Sequence, residues 1–330
     1  MSVKKTALYN KVFKSGSKAF PLLIVLILVL ILFTSIRPQY LFNIDNLRGM
    51  LNAMSLTGTI AVGVACLLIG GGMDLSVGAA GCFSGVVIAI LIQAGLPWLP
   101  ALIAAVIVGA AIGAFNAFLI EVMNFMGFIA TIGVSIMLQG LANVIVGGKN
   151  IGISNSSFFK LGTTTFFNLL SLPFLIMLAL MIIYGLILSR TRFGRRMYMC
   201  GGNRMAAQML GLKPRKVRTV LYINSSALSA LGGSILAARM RSGAPNAVLG
   251  QEFDAITASV LGGIAFMGGG GTMGGCFVGL ALLTAFKNGL TFLGVKSYWT
   301  VVANGAILIA ALIVDYFNTR SLNKRLHAEA

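Results

Sequence analysis

The sequence predicts an all-α integral membrane protein of about ten transmembrane helices, and three observations carry that expectation. Of the 330 residues 58% are hydrophobic and only 10% are charged, too little charged surface for a soluble fold of this size. Long apolar runs recur from near one end of the chain to near the other, each able as a helix to cross about 30 Å of hydrocarbon. Strand-type alternation is absent, which argues against an outer-membrane barrel.

The first run, 20–36, follows Lys4, Lys5, Lys11, Lys14 and Lys18, and so resembles a signal peptide. It is longer than a usual signal core and no small-x-small cleavage site follows, so it reads as a retained span. Further spans are expected over 51–70, 75–94, 98–120, 125–147, 168–189, 217–238, 254–269, 271–292 and 297–316, with glycine clusters blurring the ends of the last three. The expected organisation is a basic N-terminus (1–19), a membrane domain (20–316) with a basic loop at 190–216, and a tail (317–330).

The net charge of +18 does not indicate nucleic acid, because no aromatic interleaving or recognition motif accompanies it. Its placement indicates orientation instead. Basic residues gather before the first run, in one loop (Arg190 to Arg218) and in the tail (Arg320, Lys324, Arg325). With an even number of spans, all three clusters fall on one side, the cytoplasmic one. A multi-pass membrane location is expected. The polar loop 148–167 then lies outside, where Phe158, Phe159, Phe166 and Phe167 form either an interfacial aromatic belt or a docking surface.

Gly109 with Gly113 and Gly275 with Gly279 have the small-xxx-small spacing that lets helix backbones approach. The stretch GGGGTMGG at 268–275 reads as a turn or helix break, since no Lys-Ser or Lys-Thr follows as a phosphate-binding loop requires. Any ATP chemistry must come from another polypeptide. Cys66, Cys82, Cys200 and Cys276 have no paired spacing and read as buried small residues. The lone histidine, His327, leaves no histidine triad or zinc cluster, so an enzyme is disfavoured.

Two acids stand at helix starts. IGGGMDLSVGAAG (69–81) puts Asp74 before span three, and GQEFDAITASVLGG (250–263) puts Asp254 at the start of span eight. Two five-helix halves would make these positions equivalent, and an odd half-length would invert one half relative to the other. Ordinary caps in unrelated places remain the alternative. Span five carries Thr131, Ser135, Gln139 and Asn143 at steps of four, a gently winding polar stripe. Asn116 in span four and Asn224 in span seven add neutral polar groups. These line a translocation path or bond neighbouring helices. Acidic residues fall at span ends, and Lys287, the exception, has a stem long enough to snorkel. A neutral polar lining suits a neutral, hydroxyl-rich solute better than an ion.

Within the basic loop, GNRMAAQMLGLKPRK (202–216) encodes a short helix. Asn203 caps its start, Gly211 ends it, Pro214 blocks continuation, and Met205, Ala206, Met209 and Leu210 share a face. Two turns are not stable alone in water, so the helix leans on its own protein, on lipid, or on a partner.

IGGGMDLSVG, TRFGRRMYMCGGNRMAAQMLG and GQEFDAITASVLGG resemble the motifs of bacterial ABC importer permeases of the ribose, xylose, galactose and autoinducer-2 type, from about residue 45 to 316. The resemblance implies a permease, as a homodimer or with a paralogous second subunit. It further implies cytoplasmic ABC ATPase subunits that hold ATP and Mg²⁺, an extracytoplasmic solute-binding protein, and no cofactor in this chain. The family's AA-xxx-G element falls on Ala206, Ala207 and Gly211, which makes 203–212 the helix that couples to the ATPase. Arg204–Met205 departs from the acidic or small pair of many relatives. The expected function is import of a monosaccharide or similar neutral polyhydroxy solute. A branched-chain amino-acid permease and a stand-alone secondary carrier are the alternatives.

Overall fold

The computed structural model describes residues 19–328. The lysine-rich start therefore lies outside the described residues. The chain is a helical bundle, and six of its helices are each long and apolar enough to cross a membrane. These are α3 (Ile44–Ile69), α5 (Trp98–Ala117, extended to Val122 by a π turn at Phe118–Val122), α6 (Gly127–Val146), α8 (Leu172–Arg190), α11 (Pro214–Met240) and α13 (Met273–Phe292). Three further helices, α1 (Ala19–Ile36), α4 (Val77–Gln93) and α14 (Ser297–Ala328), contain shorter apolar stretches. Shorter still are α2 (Gln39–Phe42), α7 (Ser156–Thr163), α9 (Arg192–Gly202), α10 (Arg204–Met209) and α12 (Gln251–Leu261). The strands are two-residue pairs in the connections, such as Thr165–Phe166 with Leu170–Ser171.

The centre of the bundle is α3 and α11. Their apolar windows are 83% and 72% buried, against 28% for α6 and α8 at the edge. Small residues let the neighbours close on them. A Cβ on Gly109 or Gly113 would run into α11 at Ala230 or at the Tyr222 carbonyl. One on Gly275 would meet Gly262, just after α12, and one on Gly279 would meet Ala258 of α12. Both sequence pairs thus sit where backbones touch.

Several boundaries differ from expectation. Residues 37–50, which fall between two expected spans, are largely helical, over Gln39–Phe42 and from Ile44 on, and the Asn43 side chain caps α3 by accepting from the amides of Asp45 and Asn46. The span expected over 254–269 is an eleven-residue helix that stops at Leu261. Gly263 there turns left-handed (φ 84°), and Gly262 lies against the Gly275 backbone, so the chain breaks over 262–272 before α13 starts. The expected span at 168–189 starts at Leu172, since Asn168 occupies the hairpin turn with φ 57°. The 148–167 loop is built rather than open. Phe158 on α7 is fully buried, so it belongs to the core and to neither an aromatic belt nor a docking surface, whereas Phe167 is exposed. Phe159 lies 5.0 Å from the Arg241 guanidinium in a cation–π contact. All four cysteines are buried free thiols.

Candidate functional site

The basic end of the bundle holds the short helix. Thr191 begins α9, its hydroxyl accepting from the Gly194 amide at 3.0 Å, and α9 runs to Gly202. Asn203 then ends α9 and starts α10: its backbone amide donates to the Met199 carbonyl, and its side chain accepts from the Ala206 amide at 2.9 Å. Two bonds close the other end, from the Gly211 amide to the Gln208 carbonyl and from the Leu212 amide to the Ala207 carbonyl. That pair of bonds, with Gly211 left-handed at φ 76°, is a Schellman closure. Ala207 points into the protein, 2% exposed, and Ala206 is exposed. Met205, Met209 and Leu210 are 68%, 82% and 67% exposed. The six-residue helix and its C-cap residue Leu210 thus leave three large apolar side chains exposed.

The polar residues named from sequence form separate groups. Asp74 is 2% exposed and lies two residues before Ser76, the N-cap of α4. Its carboxylate accepts from the Ser76 amide and hydroxyl (2.8 and 2.7 Å), from the Asn116 amide group (3.3 Å) and from the Ser226 hydroxyl (3.3 Å). Thr131 joins the same knot, accepting from the Leu75 amide at 3.2 Å. Asn116, Thr131 and Asp74 therefore converge, buried, where α4, α5, α6 and α11 meet. Ser135, Gln139 and Asn143 are half-buried further along α6. Near the opposite end, the side-chain amides of Gln139 and Asn143 both point to Asn246 Oδ1, at 3.5 and 3.4 Å. Asn246 is not legible from the sequence; it lies in an irregular segment with no periodicity to mark it. Asn224 stands apart, accepting a hydrogen bond from the Tyr184 hydroxyl.

Asp254 sits in the first turn of α12, whose N-cap is Gly250, while the nearby Glu252 carboxylate accepts from the Gly250 amide at 3.0 Å. Asp254 instead takes the Lys287 ammonium at 2.6 Å and a hydrogen bond from the Asn304 side chain on α14. Lys287 thus has a partner carboxylate rather than snorkelling to the interface. Among the described residues no group of three or more His, Cys, Asp or Glu side chains could hold a metal ion.

Among the described residues, then, six helices long and apolar enough to cross a membrane form a bundle with an exposed apolar peg at its basic end. The chain belongs to the family described as branched-chain amino acid transport system / permease component, whose model matches residues 46–312. It is 34% identical over 299 residues to the ribose import permease protein RbsC of Bacillus subtilis, covering 90% of this chain and 92% of that one. It is 33% identical to the L-arabinose transport system permease protein AraH of Escherichia coli K12, covering 84% of each. It is also 33% identical to the ribose import permease protein RbsC of that strain, over 89% of this chain and 92% of the other. No solved structure gives a significant match.

Proposed function

We infer that this chain is the membrane-spanning permease subunit of an ATP-driven, binding-protein-dependent importer for a monosaccharide. The observation that carries this reading is the similarity, over 84% to 90% of this chain, to permeases named for ribose and arabinose. The family description names branched-chain amino acids. The relatives above carry sugar names over more than four fifths of the chain, so the amino-acid alternative is not favoured. The subunit transports and does not catalyse. ATP and Mg²⁺ belong to a separate ATPase, and the solute arrives on an extracytoplasmic binding protein.

The finer architecture we propose is ten spans in two inverted halves, with both termini and the basic end in the cytoplasm of a bacterium and the protein in its inner membrane. Reciprocal packing supports the repeat: α3 of the first half lies against α12 and α13 of the second, and α11 of the second lies against α4 and α5 of the first. The acids support it too. Asp74 is tied to Asn116 on the following helix, and Asp254 to Lys287 on its following helix. In this reading a second permease subunit completes the pathway, and the ATPase pair grips α10 through Met205, Met209 and Leu210. ATP-driven closure of that pair moves α10 and switches the side to which the path opens. A path that held solute tightly would release it slowly, so specificity resides mainly in the binding protein.

The test is reconstitution with the partner ATPase and binding protein in vesicles. Uptake of labelled pentose should require both partners and ATP, and uptake driven by an ion gradient alone would overturn the reading. On the path, Gln139→Leu removes one of the two amides that converge on Asn246. It is expected to slow uptake about threefold to tenfold, the effect of one lost hydrogen bond of about 1 kcal/mol, while ATPase binding stays normal. Unchanged uptake would make the stripe a helix contact only.

A further inference from the structure

The segment just before α10 is also the meeting point of the two broken-helix turns. Gly71, left-handed at φ 73°, follows α3, and a Cβ there would lie 3.2 Å from Gly201 Cα. Gly268 and Gly269, left-handed at φ 94° and 76°, lie in the break before α13. A Cβ on Gly268 would be 2.8 Å from the Gly201 carbonyl oxygen, and one on Gly269 would strike Gly202. The Gly269 amide donates to the Ile69 carbonyl at 2.9 Å. The Tyr198 hydroxyl on α9 donates to the Gly271 carbonyl at 2.8 Å. Backbone therefore lies on backbone at a three-way junction with no side chain between to absorb movement.

One buried acid ties the peg to this junction. Glu121 lies in the π turn after α5, its side chain 1% exposed. Its carboxylate takes Arg218 of α11 at 2.5 Å on one oxygen and Arg204 of α10 at 3.5 Å on the other. Arg218 also donates to the Gly71 carbonyl at 3.1 Å. A continuous polar chain thus runs from α10 through Glu121 and Arg218 to the turn that leads into Asp74.

We propose that Glu121 is a positioning residue for energy coupling, fixing α10 to the Gly71–Gly201–Gly268 junction so that movement of the peg shifts the turns of both halves together. The proposal rests on α10 docking an ATPase. Glu121 lies on the π turn after α5, away from the exposed apolar side chains Met205 and Met209, and an Arg204 guanidinium nitrogen lies 3.5 Å from its carboxylate. Losing the clamp therefore leaves docking intact and uncouples ATP hydrolysis from solute movement.

The experiment uses the whole assembly in vesicles and reads solute moved per ATP hydrolysed, together with ATPase retained on purification. For Glu121→Gln and Arg218→Gln, both outside α10, the ATPase should remain bound and hydrolysis stay within about twofold, while solute per ATP falls at least about fivefold, the scale of an ordinary coupling energy. Glu121→Asp should recover part of the ratio. A merely structural role would lower the amount of folded protein and leave the ratio alone, and an unchanged ratio in both variants overturns the proposal. Should Glu121→Gln fail to insert, Arg218→Lys decides by itself, since it keeps the positive charge beside Glu121 and removes the guanidinium that reaches the Gly71 carbonyl. Met209→Asp separates the two readings: if it frees the ATPase while the clamp variants keep their ratio, only the clamp falls; if it frees nothing, the docking reading falls first.

Discussion

Met209→Asp is expected to abolish ATP-driven uptake, to below about a tenth of normal, in a protein that still inserts and folds. Met209 is 82% exposed, so the fold gains nothing from it, and an aspartate there remains solvated in the free subunit. Once a partner covers the face, the substitution removes a buried thioether worth about 1.5–3 kcal/mol and buries a carboxylate. A central interface anchor lost in this way costs at least about 2 kcal/mol, or roughly thirtyfold in affinity. Gly211→Leu should act differently. Nothing stands near its Cβ position, but φ is 76°, so the cost of about 1–2 kcal/mol is backbone strain that loosens the Schellman closure and tilts the peg. The measurement is co-purification of the ATPase beside uptake in vesicles. Normal uptake by Met209→Asp would remove α10 from the coupling route.

How much of this is legible in the sequence depends on the kind of signal. The peg is readable because each part of it is local: Asn203, Gly211 and Pro214 act on neighbours three to five residues away, and the structure uses Asn203 and Gly211 as cap and Schellman glycine. The small-residue pairs are readable for the same reason, because close approach needs only the absence of a side chain. The polar residues are visible individually and their partners are not. Steps of four on α6 suggest one stripe, yet Thr131 turns into the Asp74 knot while Gln139 and Asn143 turn to Asn246. A helical drift of about 40° per step separates those environments, and only the packed neighbours decide which is which. Glu121 reads as one more acid at a span end. The π turn that brings it to Arg218, and the distant residues Arg204 and Gly71, have no local signature. Lys287 stands out as the odd charge, but its carboxylate lies thirty-three residues away.

That ion pair yields an asymmetric expectation. Lys287→Met should destabilise the protein more than Asp254→Asn does, and the double variant should recover most of the loss. Asp254 has a side chain 6% exposed, whereas that of Lys287 is 34% exposed. Removing the lysine leaves a carboxylate with only the Asn304 amide to satisfy it, and stranding one buried charge costs about 3–5 kcal/mol. Removing the acid leaves an ammonium near the end of α13 whose flexible stem can lead it toward water, so the loss should stay near 1–2 kcal/mol. With both charges gone, neither desolvation cost remains, and the amide introduced by Asp254→Asn can still bond Asn304. Thermal unfolding midpoints in detergent would order the three variants. Equal losses in the single variants with no recovery in the double would mean that the pair is held by surrounding shape rather than by charge. The ordering also bears on α14, because Asp254 and Asn304 join it to α12, and a weakened pair should make the 297–313 stretch the first part of the bundle to exchange its amide protons.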